Sequence, residues 1–311
     1  MKAILAALAL FFASQAFATI NGTDDRKEAL QEPRFAPVAR ATALMLSPAF
    51  ITENANGKLD IEAASLGDPN GWNVCKDEKF TDQPAHYVNC TGFLIAPDLL
   101  LTAGHCAVRE GTIENKRNEY CENFNWVFDW AVDASGKISL KDIDKSRVVG
   151  CKRVVYATLD FSMEGDLVKH RADFAIIELE RAMVGRTPLK LASVEPKAGD
   201  LVSMVGHPTG LPAKSVADAP VFTTEHPNYF ASGLDAMGGN SGSPILNTAN
   251  EVVGILVRAF PEEDYVDDTA GSCRRPNKCA PGATGCTTDD DTYVRGAHGQ
   301  KIKDVLPHLS K

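Results

Sequence analysis

The chain has 311 residues, a net charge of −9 and a pI of about 5.3, with 44% hydrophobic residues. That length can bury a substantial core in one large domain or two small ones, and an acidic surface without a basic stripe excludes a nucleic-acid footprint. Eight cysteines with no paired Cys-x-x-Cys spacing exclude a zinc ribbon.

The first 18 residues read as a secretory signal: Lys2, an apolar run from Ala3 to Phe12, then Ala16-Phe17-Ala18 as a small-x-small cleavage site. The run is too short to span a bilayer, for which ~20 apolar residues are needed. The expected mature protein is soluble and exported, either secreted or periplasmic, and in that compartment its cysteines form disulfides.

Residues 19–40 are an N-terminal segment or a short propeptide. The apolar run Ala41 to Leu46 predicts a first strand, and residues 51–86, rich in Asn, Gly, Asp and Pro and carrying Cys75, predict a long loop with little regular structure. Phe93 to Ile95 and Leu99 to Leu101 flank a Pro97-Asp98 turn, which predicts a β-hairpin. Its ends bring Cys90 and Cys106 face to face. A bridge there closes a loop of about 15 residues and fixes the backbone beside His105.

The aromatic run Phe124 to Trp130 is expected in the core, and Val148 to Val155 reads as a strand, with Cys121 and Cys151 as a second disulfide. Asp173 opens the apolar stretch Phe174 to Leu179. An acid there is costly to bury unless something hydrogen-bonds it. Residues 199–212 read as a strand ending in a turn, with His207 and His226, each before a proline, as turn residues. Glu251 to Val257 reads as another strand, and Lys301 to Leu309 as a short amphipathic helix.

Residues 261–292 form an acidic insertion with Cys273, Cys279 and Cys286. If every thiol is oxidised and Cys90 pairs with Cys106, parity requires a bond from the insertion to Cys75, Cys121 or Cys151. Asp267, Asp268 and Asp289 to Asp291 match no calcium-loop spacing and read as a solvated acidic face; no metal is expected.

A serine enclosed by glycines in Gly238-Gly239-Asn240-Ser241-Gly242-Ser243-Pro244 sits in a turn that leaves its hydroxyl uncrowded and lets backbone amides converge beside it, as an acyl-transfer nucleophile requires. Together with Thr102-Ala103-Gly104-His105-Cys106 and its partner Cys90, this stretch resembles the chymotrypsin/trypsin serine peptidase family, and its Asn-Ser-Gly-Ser-Pro form is similar to the bacterial, V8-like glutamyl endopeptidase branch. The chain order His105, Asp173, Ser241 fits that family and neither subtilisins nor α/β-hydrolases. The resemblance implies an all-β fold of two six-stranded antiparallel β-barrels with the active site between them, spanning 41–311.

It also implies a secreted serine endopeptidase. Ser241 is the nucleophile, His105 the base, Asp173 its orienting partner, and the amides of Gly239 and Ser241 the oxyanion hole. No cofactor is needed. The expected partner is a protein or peptide substrate, with no nucleic acid and no membrane, and the expected state is a monomer. Asp235, six residues before Ser241, stands where trypsin-like members bind Lys or Arg. Leu256 replaces the pocket histidine of the V8-like branch, and Arg258 on the cleft wall is placed to neutralise Asp235. Asn240 stands where animal trypsins carry the aspartate that receives a freed N-terminus. The competing reading, from a different class, is a catalytically inactive secreted binding protein on a protease fold.

Overall fold

A computed structural model describes residues 20–87, 90–164, 167–260, 264–279 and 296–309. The expected signal segment, Cys286 and the acids at 289–291 lie outside the described residues.

Two closed six-stranded antiparallel barrels make up the body. The first comprises β1 (Thr42–Leu46), β2 (Thr91–Ala96), β3 (Leu99–Thr102), β4 (Asn125–Phe128), β5 (Val148–Glu164) and β6 (Leu167–Leu179). Its order is β5-β4-β1-β2-β3-β6, closed by β5 on β6. The second comprises β7 (Leu201–Gly206), β8 (Lys214–Thr223), β9 (Tyr229–Ser232), β10 (Pro244–Leu246), β11 (Val252–Phe260) and β12 (Gly296–Lys301). Its order is β7-β10-β11-β12-β9-β8, closed by β7 on β8.

Alternation of side chains along a strand decides which layer each residue enters. On β1, Ala43 and Met45 fill the first barrel while Leu44 and Leu46 pack outward against Trp130, Ile61 and Ile143. On β2, β3 and β6, Leu94, Leu100, Ala175 and Ile177 point into the same barrel, whereas Phe93, Leu101, Phe174 and Ile176 meet Val205, Leu246 and Ile255 of the second barrel. These strands are therefore buried on both sides, which is why their sequences read as continuous apolar runs. The expected hairpin is β2–β3, and Trp126, Phe128 and Trp130 are core residues.

The sequence reading had no helix before β1. α1 (Ala36–Ala41) forms there with Pro37 in its first turn, where a missing N–H costs nothing. Residues 51–86 hold more pairing than expected: Ile51–Glu53 pairs with Leu59–Ile61, and Ala64–Ser65 with Pro84–Ala85. Disulfides join Cys90 to Cys106, Cys121 to Cys151, and Cys75 to Cys273. The last ties the acidic insertion to the body. The chain ends in two 3-10 turns, Ile302–Asp304 and Leu306–His308.

The N-terminal segment is built into the second barrel. Ile20 is fully buried, Lys27–Glu28 pairs with β8, and the buried Lys214 ammonium lies 2.9 Å from Glu28 Oε2 and 2.7 Å from Gln83 Oε1. Arg26 and Asp24 form a second buried pair at 2.7 Å. Removing either member would leave the other charge buried without a partner, so both pairs anchor the segment.

Candidate active site

His105 sits in a 3-10 turn, Gly104–Cys106, that leaves β3 and lies across the first barrel. The turn comes so close to β5 and β6 that a Cβ on Gly104 would stand 1.9 Å from Thr158 O and 2.9 Å from Phe174 N. Only glycine fits there. The Cys90–Cys106 bond fixes the next residue.

Asp173 projects from β6 and is 3% exposed. Its Oδ2 lies 2.9 Å from His105 Nδ1, and its Oδ1 accepts from the His105 backbone N–H at 3.0 Å. The expense of burying this acid is met by those contacts. Gln300 of β12 supplies a further support: its Oε1 accepts from Asp173 N at 2.8 Å, while its Nε2 donates to Asn228 O at 2.9 Å and Asp304 Oδ2 at 2.6 Å. Burial pulls the His105 pKa down, and the Asp173 carboxylate, by charge and hydrogen bond, more than restores it; Arg258 opposes. The net shift is upward.

Ser241 stands in the turn between β9 and β10, with Gly239 at φ 91° and Gly242 at φ 90° on either side. At Gly242 both the dihedral and the space demand glycine, since a Cβ would meet Thr91 O at 1.9 Å. The turn is pinned to both barrels. Ser241 O accepts from Thr91 N at 2.7 Å, Gly242 N donates to Leu256 O at 2.7 Å, and Thr91 Oγ1 donates to Gly239 O at 2.8 Å. Cys106 Sγ lies 3.9 Å from Ser241 O, so the histidine turn and the serine turn meet across the barrel junction. Among the described residues neither the Gly239 nor the Ser241 backbone N–H donates a hydrogen bond.

A pocket of about 190 Å³ opens beside Ser241, lined by Met237, Gly238, Leu256, Val257, Arg258 and Asp264 among others. Leu256 is there as a buried wall. The guanidinium of Arg258 lies over the Tyr229 ring, 5.3 Å from its centroid, and its charge reaches His105.

Asp235 does not line the pocket. Its Oδ1 accepts from Asn21 N at 2.8 Å and its Oδ2 from Asp25 N at 3.4 Å. It is 2% exposed. The backbone amides of a segment more than 200 positions away occupy the carboxylate, a relationship that no local pattern reveals. Burial and the neighbouring Asp25 charge push the Asp235 pKa up to about 8, against the pull of the Asn21 amide. The carboxylate that lines the pocket is Asp264, whose Oδ2 accepts from Gly238 N at 2.8 Å and whose pKa burial raises to about 6. Sequence reasoning missed it because it lies in the acidic insertion, where it resembles its neighbours.

The trypsin-like peptidase domain matches residues 90–255, more than half of the chain and inclusive of His105, Asp173 and Ser241. The chain belongs to the trypsin-like peptidase family. Among solved structures this trypsin-like peptidase is similar to a Glu endopeptidase at 15% identity and a TM-score of 0.48, covering 94% of this chain and 97% of that one. It is also similar to an inactivated protease paralogue of the scabies mite, at 14% identity, a TM-score of 0.47 and coverage of 88% and 93%. Kallikrein-related peptidase 10 matches at 16% identity and a TM-score of 0.42, over 71% of this chain and 87% of that one.

Proposed function

We propose that the chain is a secreted serine endopeptidase that hydrolyses peptide bonds through an acyl-enzyme. The observation that carries this reading is the double hold of Asp173 on His105, in a turn that meets the Ser241 turn across the barrel junction. Ser241 Oγ attacks the substrate carbonyl carbon while His105 Nε2 takes its proton. The proton then passes to the departing amine nitrogen as the C–N bond breaks, leaving an ester on Ser241. Water, deprotonated by His105, releases the acid and restores the serine.

Asp173 keeps the Nδ1 proton in place and stabilises the imidazolium that forms. The N–H groups of Gly239 and Ser241 receive the oxyanion; a donor of this kind is worth roughly 3 to 4 kcal/mol in the transition state.

Cleavage after lysine or arginine is supported by a carboxylate in the pocket, with Asp264 in the role first given to Asp235. Residues 20–40 belong to the folded body in this reading, because Ile20, Arg26 and Lys27–Glu28 are packed into it. Three disulfides support an oxidising compartment. Among the described residues no helix is long and apolar enough to cross a membrane.

A fluorophosphonate probe tests the reading. The purified mature protein is expected to be labelled, and Ser241→Ala to abolish the label. No labelling, or labelling undiminished in the variant, would defeat it.

A further inference from the structure

A second cleft, about 490 Å³, is separate from the serine pocket and is lined by Phe50, Glu62, Asp68, Ala85, His86 and Tyr87 among others. Its walls are aromatic and its rim is acidic. Phe50 and Tyr87 are 44% and 53% exposed, two of the few large apolar side chains that the described residues present to solvent. His86 packs in tilted contact between Phe50 and Trp130, at 5.2 and 5.4 Å between ring centroids, and Tyr87 stacks on Trp72 at 4.7 Å. Neither Glu62 nor Asp68 forms an ion pair among the described residues.

The backbone around the cleft is held in place. Glu62 N donates to Phe50 O at 2.9 Å, Leu66 N to Gln83 O at 2.9 Å, and the Cys75–Cys273 bond closes the loop between them and the insertion. Asp68 and Tyr87 converge at Gly71, where a Cβ would stand 3.1 Å from the Tyr87 hydroxyl and 3.5 Å from Asp68 Cβ; burial and the Asp68 charge raise the Tyr87 pKa, and Arg274 opposes. The cation whose charge reaches Tyr87, Arg274, bonds Tyr265 O at 2.5 Å and lies 3.8 Å from Asp267.

The cleft is also close to the serine. Tyr87 and Thr91 are four residues apart and therefore at most about 14 Å apart, and Thr91 N donates to Ser241 O. From the other side, His86 N donates to Thr209 O and Thr209 N to Gly238 O at 2.6 Å, and Gly238 lines the serine pocket. By that bound an extended peptide crossing Ser241, at ~3.3 Å per residue, reaches the cleft within about six residues.

Exposed aromatic faces next to unpaired carboxylates attract an organic cation: the rings offer cation–π contact and the acids offer charge. We infer that this cleft is a second recognition site that takes a lysine or arginine side chain of the polypeptide substrate, several residues from the scissile bond. The occupant rests on the peptidase reading; the cleft's preference for a cation does not.

The test uses the Ser241→Ala protein and decapeptides with arginine fixed at the fifth position and a second arginine walked through the others. Each is compared by titration calorimetry with the peptide in which citrulline, the neutral isostere, replaces the second arginine. At one position the arginine peptide is expected to bind about tenfold tighter. In Glu62→Gln/Asp68→Asn that gap closes, and in Phe50→Ala it narrows. Asparagine at 68 can still accept the Asn70 N–H, so the double variant keeps its loop, and its melting temperature checks this. Equal affinity at every position, or a gap that survives the double variant, overturns the inference. If Ser241 is not a nucleophile, the parent escapes fluorophosphonate while the arginine–citrulline gap persists, so the two failures are told apart.

Discussion

Asp173 holds His105 from two directions, with Oδ2 at 2.9 Å from Nδ1 and Oδ1 at 3.0 Å from the backbone N–H. Asparagine at 173 keeps the shape but presents an NH₂ to one of two donors. We expect Asp173→Asn to lower kcat/KM on the order of 10⁴-fold in this arrangement, with the melting temperature nearly unchanged. An unchanged rate would remove Asp173 from the mechanism.

Arg258 acts on the same histidine with opposite sign. Its charge holds the His105 pKa below where Asp173 alone would set it. The base must be neutral to accept a proton, so activity rises as pH climbs through that pKa. In Arg258→Gln the pKa moves up, and the acidic limb of kcat/KM against pH shifts to higher pH. Arg258→Lys should restore the original limb.

Asp264 titrates near pH 6 in the pocket. Above that pH it presents a charge to a basic side chain; below it the charge is lost. KM for arginine peptides should therefore rise as pH falls through 6. Asp264→Asn should show the weak binding at all pH values, with a loss on the order of 10- to 100-fold in kcat/KM. Peptides with a neutral residue at that position serve as the control.

Buried Asp235 holds a proton over a range where an unfolded carboxylate has lost it. With the pKa raised from 3.8 to about 8, the native state binds more protons than the unfolded state between those values. Stability must then fall as pH rises through that window. Asp235→Asn stays neutral, so its melting temperature should lose a few degrees less than the parent between pH 5 and pH 9. Parallel curves would show that Asp235 is not the titrating group.

The disulfides among the described residues close loops of different length. The Cys90–Cys106 separation is 16 residues and that of Cys75–Cys273 is 198, for which chain entropy gives about 3 and about 5 kcal/mol. Urea unfolding of the paired serine variants should rank them in that order. Fluorophosphonate labelling should rank them the other way, because only the first bond lies beside His105.

Much of the fold could be read from local pattern. The β2–β3 hairpin announces itself by a Pro97-Asp98 turn between apolar runs, and the serine turn by Gly239 and Gly242, which the structure places at positive φ. The local settings of His105, Asp173 and Ser241 carry their own signs in the sequence: a stapled cysteine, an apolar strand, a pair of glycines at positive φ. Pocket chemistry was not legible. Asp235 and Asp264 look alike in sequence, and what separates them is whether distant backbone amides, those of Asn21 and Asp25, turn the carboxylate away from the cleft. Gln300 was missed for a related reason, as a polar residue in a fully buried strand whose partner Asp173 lies 127 positions earlier. The barrel closures β5–β6 and β7–β8 likewise depend on register, which strand-by-strand patterns do not encode.

The support that Gln300 gives to Asp173 has a bearing on biosynthesis. Asp173, and with it the imidazole of His105, obtains its last hydrogen-bond partner from the final strand of the second barrel. A chain still being made, or one clipped before residue 300, can carry all three reactive residues and lack the contact that seats one of them. The seat of Asp173, and through it that of His105, is therefore complete only once the Gly296–Lys301 strand is in place.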